Sequence, residues 1–195
     1  MMQATPTIKL NMKILLSTSF IILLHFLAPA QTMLFTKSGT IQFFSKTPLE
    51  NIEAVNKEAS SFLNLQNGEL VFSLLVKNFR FEKALMEEHF NENYMESDKF
   101  PKANFKGKIS NLSATNFSKE GVYPCLINGN IVIHGVSKAI DLPANITVKQ
   151  GKVIATAKFQ VKPADFNISI PALLKGKIAE QIEVNVNAHY EPYKK

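Results

Sequence analysis

The feature of this chain that most restricts its fold is an alternation of apolar and polar residues with a period of two. The alternation recurs in four stretches, at residues 70–76, 104–109, 153–161 and 182–188. Successive side chains of a strand point to opposite faces, so each stretch has one apolar face and one mostly polar face. This pattern is typical of an antiparallel sheet with one face in water.

Turn residues separate these stretches and indicate how many strands there are. Glycine-containing turns are predicted at residues 66–68, 119–121, 128–129 and 150–151, and the last of these is expected to close a hairpin. The strands are predicted at roughly 35–45, 53–64, 68–81, 104–114, 125–134, 139–149, 152–162 and 180–190. About eight short strands at this spacing favour a β-sandwich or a β-barrel. We therefore predict an all-β fold without internal repeats.

Two segments depart from the strand pattern. Residues 81–95 carry Met86, Phe90 and Tyr94 at helical spacing, with acidic residues largely off that stripe, which predicts one short amphipathic helix. Its apolar stripe is expected either to form a lid or wall over a ligand or to pack on the barrel as a plug. Residues 163–178 contain two prolines and a glycine, and we predict a long loop there at one mouth of the barrel.

The first residues have the order of a targeting segment. Lys9 and Lys13 precede an apolar run at residues 14–27, and small residues follow at 28–30. The run is shorter than the roughly 20 residues that span a bilayer. A positive start, an apolar run and small residues in that order predict a secretory signal peptide over residues 1–30.

Cleavage there would leave residues 31–195 as a single barrel domain. We expect this domain to be periplasmic or secreted, and to have no stable membrane span of its own. The alternative is that the leader is retained as an uncleaved membrane anchor.

Composition excludes several other classes of protein. The single cysteine, Cys125, cannot form an intramolecular disulfide, and we expect it to be a small buried apolar residue. The formal net charge is +6, but the basic residues of the second half are spaced along strands and turns and do not cluster with aromatic residues. A solvated barrel exterior explains them, so no nucleic-acid partner is expected.

The sequence contains no recognisable catalytic or metal-binding pattern. There is no phosphate-binding loop, nucleophile elbow or HExxH motif. Cys125 and three histidines, His89, His134 and His189, do not have the spacing of metal ligands. We therefore predict a protein that is not an enzyme, with no catalytic residues, no metal and no covalent cofactor.

Two motifs resemble the signatures of a known family. HFNENYMESDKFPKANFKGKI at residues 89–109 resembles the central signature of the YceI-like, lipid- and polyisoprenoid-binding family. GNIVIHGVSKAIDLP at 129–143 is similar to its second signature, and FQVKPADFNISIP at 159–171 is similar to its C-terminal region. The first strand departs from the family pattern, because residues 40–45 lack the usual histidine. The chain thus resembles a divergent subgroup of this family.

The resemblance implies an elongated, lipocalin-like antiparallel barrel of eight strands that encloses one long apolar chain. It also implies a ligand of the polyisoprenoid or isoprenoid-quinone type and an exported bacterial protein that sequesters, transports or stores it. An eight-stranded barrel has an interior that side chains fill or that holds one small ligand. A non-binding structural or interaction domain with a filled core therefore remains the alternative, and the oligomeric state, a dimer included, is left open.

Candidate ligand-binding residues follow from the strand faces and the helix stripe. The residues predicted to line a lipid tunnel are Phe43, Phe72, Leu74, Val76, Met86, Phe90, Tyr94, Phe105, Ile133 and Phe159. His89 and His134 lie within the family motifs, and each is predicted either to contact a ligand head group or to make structural hydrogen bonds. A phosphate or quinone head group is expected near the mouth, where Lys138 or Lys175 could approach it.

Overall fold

The computed structural model describes residues 32–193, and the predicted signal peptide lies outside these residues. The strands are β1 (Met33–Lys46), β2 (Asn51–Asn64), β3 (Glu69–Leu75), β4 (Arg80–Phe81), β5 (Lys102–Ile109), β6 (Gly121–Ile133), β7 (Val136–Lys149), β8 (Lys152–Val161) and β9 (Ile182–Pro192). One α-helix, α1 (Ala84–His89), is continued by a π-helical turn at Phe90–Tyr94.

Eight of these strands form a closed antiparallel barrel. Their order is β1-β9-β8-β7-β6-β5-β3-β2, and β2 pairs with β1 to complete the circle. The two-residue strand β4 pairs with β2 and lies outside this circle. The predicted all-β barrel with one short helix is therefore confirmed.

The hairpin between β7 and β8 shows how the local sequence sets the register. Lys149 pairs with Lys152 across a two-residue loop, Gln150-Gly151. Both loop residues have positive φ, 51° and 71°, as the type I′ turn favoured in two-residue hairpins requires. The turn predicted at residues 150–151 is confirmed.

The third predicted strand, 68–81, is wrong in its second half. Strand β3 ends at Leu75, a 3₁₀ turn follows at Val76–Asn78, and the chain then forms β4. The side-chain amide of Asn56 donates to the Leu75 carbonyl at 2.9 Å and takes the place of a strand partner. Val76 nevertheless remains buried, as the alternation predicts. Alternation indicates which face a side chain occupies, but it does not show whether the backbone continues to pair with a neighbouring strand.

The fourth predicted strand, 104–114, also ends early. Strand β5 stops at Ile109, and Asn111 then uses its side chain to bind two backbone groups of β6. It donates to the Pro124 carbonyl at 3.2 Å and accepts from the Leu126 amide at 3.1 Å. These contacts replace strand pairing opposite Pro124, which has no N–H to donate.

The larger of the two clusters of buried core residues fills one end of the barrel. This closed end holds Leu63, Ile109, Ile146 and Ala188, each at most 1% exposed. Tyr190 lies among them, and its hydroxyl is 2.6 Å from Ser61 Oγ. At the other end, which we call the mouth, lie α1, the loop between β1 and β2, and the long connection from β8 to β9.

Candidate functional site: an apolar cavity

The mouth half of the barrel encloses a cavity of about 390 Å³. Inward-facing residues of the strands line it, together with side chains from the segments at the mouth. All of the predicted tunnel residues are among the lining residues: Phe43, Phe72, Leu74, Val76, Met86, Phe90, Tyr94, Phe105, Ile133 and Phe159. The structure therefore brings these residues together, and their contact with a ligand stays a prediction.

The cavity is closed at its inner end. Leu70, Ile127, Leu142 and Ala155 line its floor and also belong to the buried core of the closed end. Beyond them, Ile146 and its neighbours fill the barrel. The interior is thus filled at one end and hollow at the other, a combination of the two alternatives that the sequence leaves open.

An aromatic cluster forms the wall beneath the helix. Phe90, from the π-helical turn, has its ring centroid 5.4 Å from that of Phe43, 5.6 Å from Phe79 and 5.1 Å from Phe81. All four rings line the cavity. The helix stripe is therefore a wall over a void and does not plug the barrel. Pairs at these separations add stability beyond their buried area, which holds the short helix in place.

Sequence reasoning missed part of this lining. Phe79 and Phe81 line the cavity although the pattern placed them in a predicted strand and at the start of a helix. The loop predicted at residues 163–178 also contributes a face, with Phe166, Ile168 and Ile170 at alternate positions. That short period-two run was the signal that could have identified them.

Few polar side chains line the cavity, and the acidic and basic residues among them are at the mouth. Glu50, His89 and Lys177 contribute there. Lys83 Nζ lies 3.8 Å from Glu50 Oε1, so the start of α1 is joined to the β1–β2 loop. Burial raises the pKa of Tyr94, and its hydroxyl therefore stays protonated on the wall. Lys177 is the lysine on the lining; the predicted head-group candidates Lys138 and Lys175 are not among the lining residues.

His134 is buried beside the mouth but is not one of the lining residues. Its Nδ1 lies 3.0 Å from the Phe166 carbonyl oxygen, and its Nε2 lies 2.9 Å from Glu96 Oε2. The ring of Phe100 packs edge-on against the imidazole at 4.4 Å. His134 therefore joins the β6–β7 turn to both segments that cover the mouth. Contact of His134 with a ligand head group stays a prediction.

The turn at His134 requires the glycine that follows it. His134 and Gly135 both have positive φ, 50° and 75°. A Cβ at Gly135 would lie 2.6 Å from a ring carbon of Phe100, so no other residue fits without displacing that ring. The HG pair of the second motif is thus explained by backbone geometry and packing.

Other chemistry-bearing groups do not form a second centre. Among residues 32–193, no three side chains of His, Cys, Asp or Glu are placed to hold a metal ion. Cys125 is buried in the core, and burial raises the pKa of its thiol, so the sulfur stays protonated. Within the same range, no helix is long and apolar enough to cross a membrane.

A sequence model of the YceI-like domain matches residues 24–190. The chain belongs to the YceI-like domain family. Because the match begins at residue 24, the boundary between leader and YceI-like domain at residues 30 and 31 stays a prediction. No curated protein sequence matches the chain.

Solved structures share the fold of this YceI-like domain at low sequence identity. A polyisoprenoid-binding domain from Saccharophagus degradans, implicated in plant cell wall breakdown, superposes with a TM-score of 0.73 at 13% identity, covering 83% of this chain and 99% of that one. BcnA of Burkholderia cenocepacia gives 0.67 at 12% identity, with coverages of 78% and 96%. A YceI protein of Campylobacter jejuni gives 0.55 at 19% identity, with coverages of 73% and 85%. At these identities the likeness establishes the fold.

Proposed function

We propose that this chain is an exported, non-enzymatic lipid-binding protein that holds the apolar chain of a polyisoprenoid or isoprenoid quinone inside the barrel. The observation that carries the proposal is the blind-ended apolar cavity of about 390 Å³. The solved Saccharophagus domain, described as polyisoprenoid-binding, supports the choice of ligand. Sequestration, transport or storage of the lipid would each follow from such binding.

The physical reason for binding is that the apolar side chains of the cavity wall face empty space. Apolar side chains that face a void lose the dispersion contacts that a packed core supplies. A cavity lined by aliphatic and aromatic residues also offers water too few hydrogen-bond partners to hold it. A hydrocarbon chain that enters the cavity restores these contacts. Its own transfer out of water contributes about 0.8 kcal/mol of favourable free energy for each CH₂ group buried. Ligand is therefore expected to raise the free energy of unfolding.

The size of the cavity bounds how much of the ligand fits. An apolar cavity of about 150 Å³ holds benzene, with six carbon atoms. By that scale, 390 Å³ takes roughly 15 carbon atoms, about three isoprene units. A longer chain would leave its remaining units at the mouth.

The distribution of polar groups sets the orientation of the ligand. The floor is built from aliphatic side chains such as Leu70 and Ile127, whereas Glu50, His89 and Lys177 stand at the mouth. Burying an unpaired polar head group at the floor costs free energy, and leaving it at the mouth does not. The tail therefore enters first, and the head group stays beside His89 and Lys177.

The test is lipid extraction from the purified full chain, followed by mass spectrometry, with a variant that fills the cavity. In Ala157→Phe the new ring would occupy space between lining residues, because Ala157 lies on the cavity wall. Gln160→Phe places the same ring on the exposed face of the same strand and is the matched control. We expect wild type and Gln160→Phe to retain an isoprenoid lipid, and Ala157→Phe to lose it while remaining folded.

Two outcomes would contradict the proposal. One is the reproducible absence of bound isoprenoid in wild type, both as purified and after incubation with farnesol or an isoprenoid quinone. The other is equal retention of lipid by Ala157→Phe and Gln160→Phe, which would place the lipid outside the cavity.

A further inference from the structure

The three most exposed leucines of residues 32–193 lie on three different segments of the mouth. Leu173 is 91% exposed, Leu49 is 73% exposed and Leu85 is 60% exposed. Leu49 belongs to the β1–β2 loop, Leu85 to α1, and Leu173 to a 3₁₀ turn at Ala172–Leu174 in the β8–β9 connection. We call these three residues the rim leucines.

Contacts between the three segments bring the rim leucines onto one edge. A Cβ at Gly176 would lie 3.5 Å from Leu49 Cδ1, so the β8–β9 connection passes directly beside Leu49. The ion pair of Glu50 with Lys83 joins the β1–β2 loop to the start of α1. The three segments therefore form a continuous rim.

Each rim leucine is followed in the chain by a residue that lines the cavity. Glu50 follows Leu49, Met86 follows Leu85, and Leu174 follows Leu173. At all three places the chain thus turns one side chain into the cavity and the leucine before it out into solvent. Leucines exposed in this way are surrounded by water in the isolated protein, at a cost that a nearby apolar phase would remove.

The charges around the rim indicate what kind of apolar partner the rim leucines would contact. The segment 171–178 carries Lys175 and Lys177 and no acidic residue, and neither lysine is among the ion pairs of residues 32–193. Lysines beside exposed leucines suit an anionic lipid surface, where the leucines enter the acyl region and the lysines meet the head groups. The α1 side carries acidic residues at positions 82, 87, 88 and 92, and Glu180 follows the two lysines. Contact with anionic head groups is therefore expected only around Lys175 and Lys177.

We propose that the rim leucines insert into a lipid bilayer and dock the mouth of the barrel on a membrane that contains anionic lipid. In that position the cavity opens directly onto the acyl chains. A hydrocarbon ligand could then pass between bilayer and cavity without entering water. Exposure to water is unfavourable for every CH₂ group of the ligand. This docking uses only the rim, so it is separate from the identity of the ligand proposed above.

The chain has no tryptophan, so a single introduced indole reports on its own surroundings. We propose three variants of the full chain, Leu49→Trp, Leu85→Trp and Leu173→Trp. The control is Val122→Trp, since Val122 is 62% exposed at the closed end, where it is the second residue of strand β6. Each variant is mixed with phosphatidylcholine vesicles containing phosphatidylglycerol, with and without brominated acyl chains.

We expect tryptophan emission of the rim variants to shift to shorter wavelength and to lose most of its intensity with brominated lipid. The Val122→Trp emission should stay unchanged in the same vesicles. Attachment of vesicles through residues 1–31 is distinguished from docking of the rim by the control, because strand β1 begins at the closed end, the end that carries Val122. If one rim variant does not fold, as judged by thermal unfolding, the other two report on the same edge. Replacing both Lys175 and Lys177 by Gln should reduce the quenching in the phosphatidylglycerol vesicles.

Three results would overturn the docking proposal. The rim variants could keep solvent-exposed emission in the presence of vesicles, or Val122→Trp could be quenched as strongly as they are. Emission of the rim variants could also be shifted before any vesicle is added, in a protein that runs as a dimer, which would identify the rim as an interface between two copies. Lipid extraction of the same samples reports on ligand binding independently, so failure of docking and failure of ligand binding are distinguishable.

Discussion

The imidazole of His134 links Glu96 to the carbonyl of Phe166, two groups on different segments that cover the mouth. A carbonyl oxygen only accepts, so Nδ1 carries the hydrogen in the contact with Phe166. The contact between Nε2 and the Glu96 carboxylate is a hydrogen bond only when Nε2 carries a hydrogen as well. The protein thus uses a motif histidine to hold the covering segments together.

We predict that His134→Phe lowers the free energy of unfolding by about 1–3 kcal/mol, because it leaves a buried carbonyl without a donor. Glu96→Gln should cost less than about 0.5 kcal/mol, since the amide can donate to a neutral Nε2. Denaturant unfolding measures both changes. Equal losses in the two variants would show that the carboxylate itself, and not a hydrogen bond to the ring, holds the mouth.

At the closed end, Ser61 and Tyr190 predict an asymmetric pair of mutational effects. Ser61 Oγ donates to the Val71 carbonyl at 2.8 Å, so it is the Tyr190 hydroxyl that donates to Ser61. Ser61→Ala strands a buried donor and should cost about 1–3 kcal/mol, whereas Tyr190→Phe removes the donor and should cost about 0.5–1.5 kcal/mol. In the double variant no donor is left stranded, although the hydrogen bond to Val71 is lost as well. Its loss should therefore be smaller than the sum of the two single losses, as urea unfolding can show.

Tyr190 also predicts an alkaline loss of stability. Burial raises the pKa of its hydroxyl above the ordinary value, so the folded state favours the neutral form. That contribution is complete below the ordinary tyrosine pKa of about 10 and is lost as the pH rises towards the folded-state value. The free energy of unfolding should therefore fall more steeply above about pH 10 in wild type than in Tyr190→Phe. Parallel pH profiles would contradict this explanation.

The difference between the hollow and the filled half predicts how truncations act. Phe159 lines the cavity, whereas Ile146 is 0% exposed in the closed end. Ile146→Ala should cost about 2–5 kcal/mol, as in a packed core. Phe159→Ala should fall below the usual 3–5 kcal/mol for such a truncation, because one side of its ring already faces a void. Calorimetry on lipid-free protein compares the two, and a larger loss for Phe159→Ala would indicate a filled interior.

Cavity size predicts the dependence of affinity on prenyl length. Each isoprene unit that enters should strengthen binding by more than about tenfold, up to roughly three units. Longer prenols should then gain little, because their added units remain outside the cavity. Competition of geraniol, farnesol, geranylgeraniol and longer prenols against a fluorescent prenyl probe measures this series. A steady rise in affinity well beyond four units would show that the barrel opens further than its unliganded volume.

The sequence predicts the barrel well because the alternation of apolar and polar residues along each strand shows which side chains face the interior. Alternation assigned inward faces correctly to Phe72, Phe105 and Phe159, and a local turn signal located the β7–β8 hairpin. It could not separate a hollow interior from a filled one, because periodicity tells which face a side chain occupies and not how far away the opposite wall lies. The contact between His134 and Glu96 joins residues far apart in sequence, so no local pattern indicates it.

Because the cavity has a packed floor at its inner end and its charged lining residues at the mouth, a ligand that enters tail-first would leave head-first. The head group would then reach an accepting membrane or enzyme before the hydrocarbon chain has left the cavity. Transfer of the proposed ligand would need no reversal inside the cavity, because the ligand would leave in the orientation in which it entered.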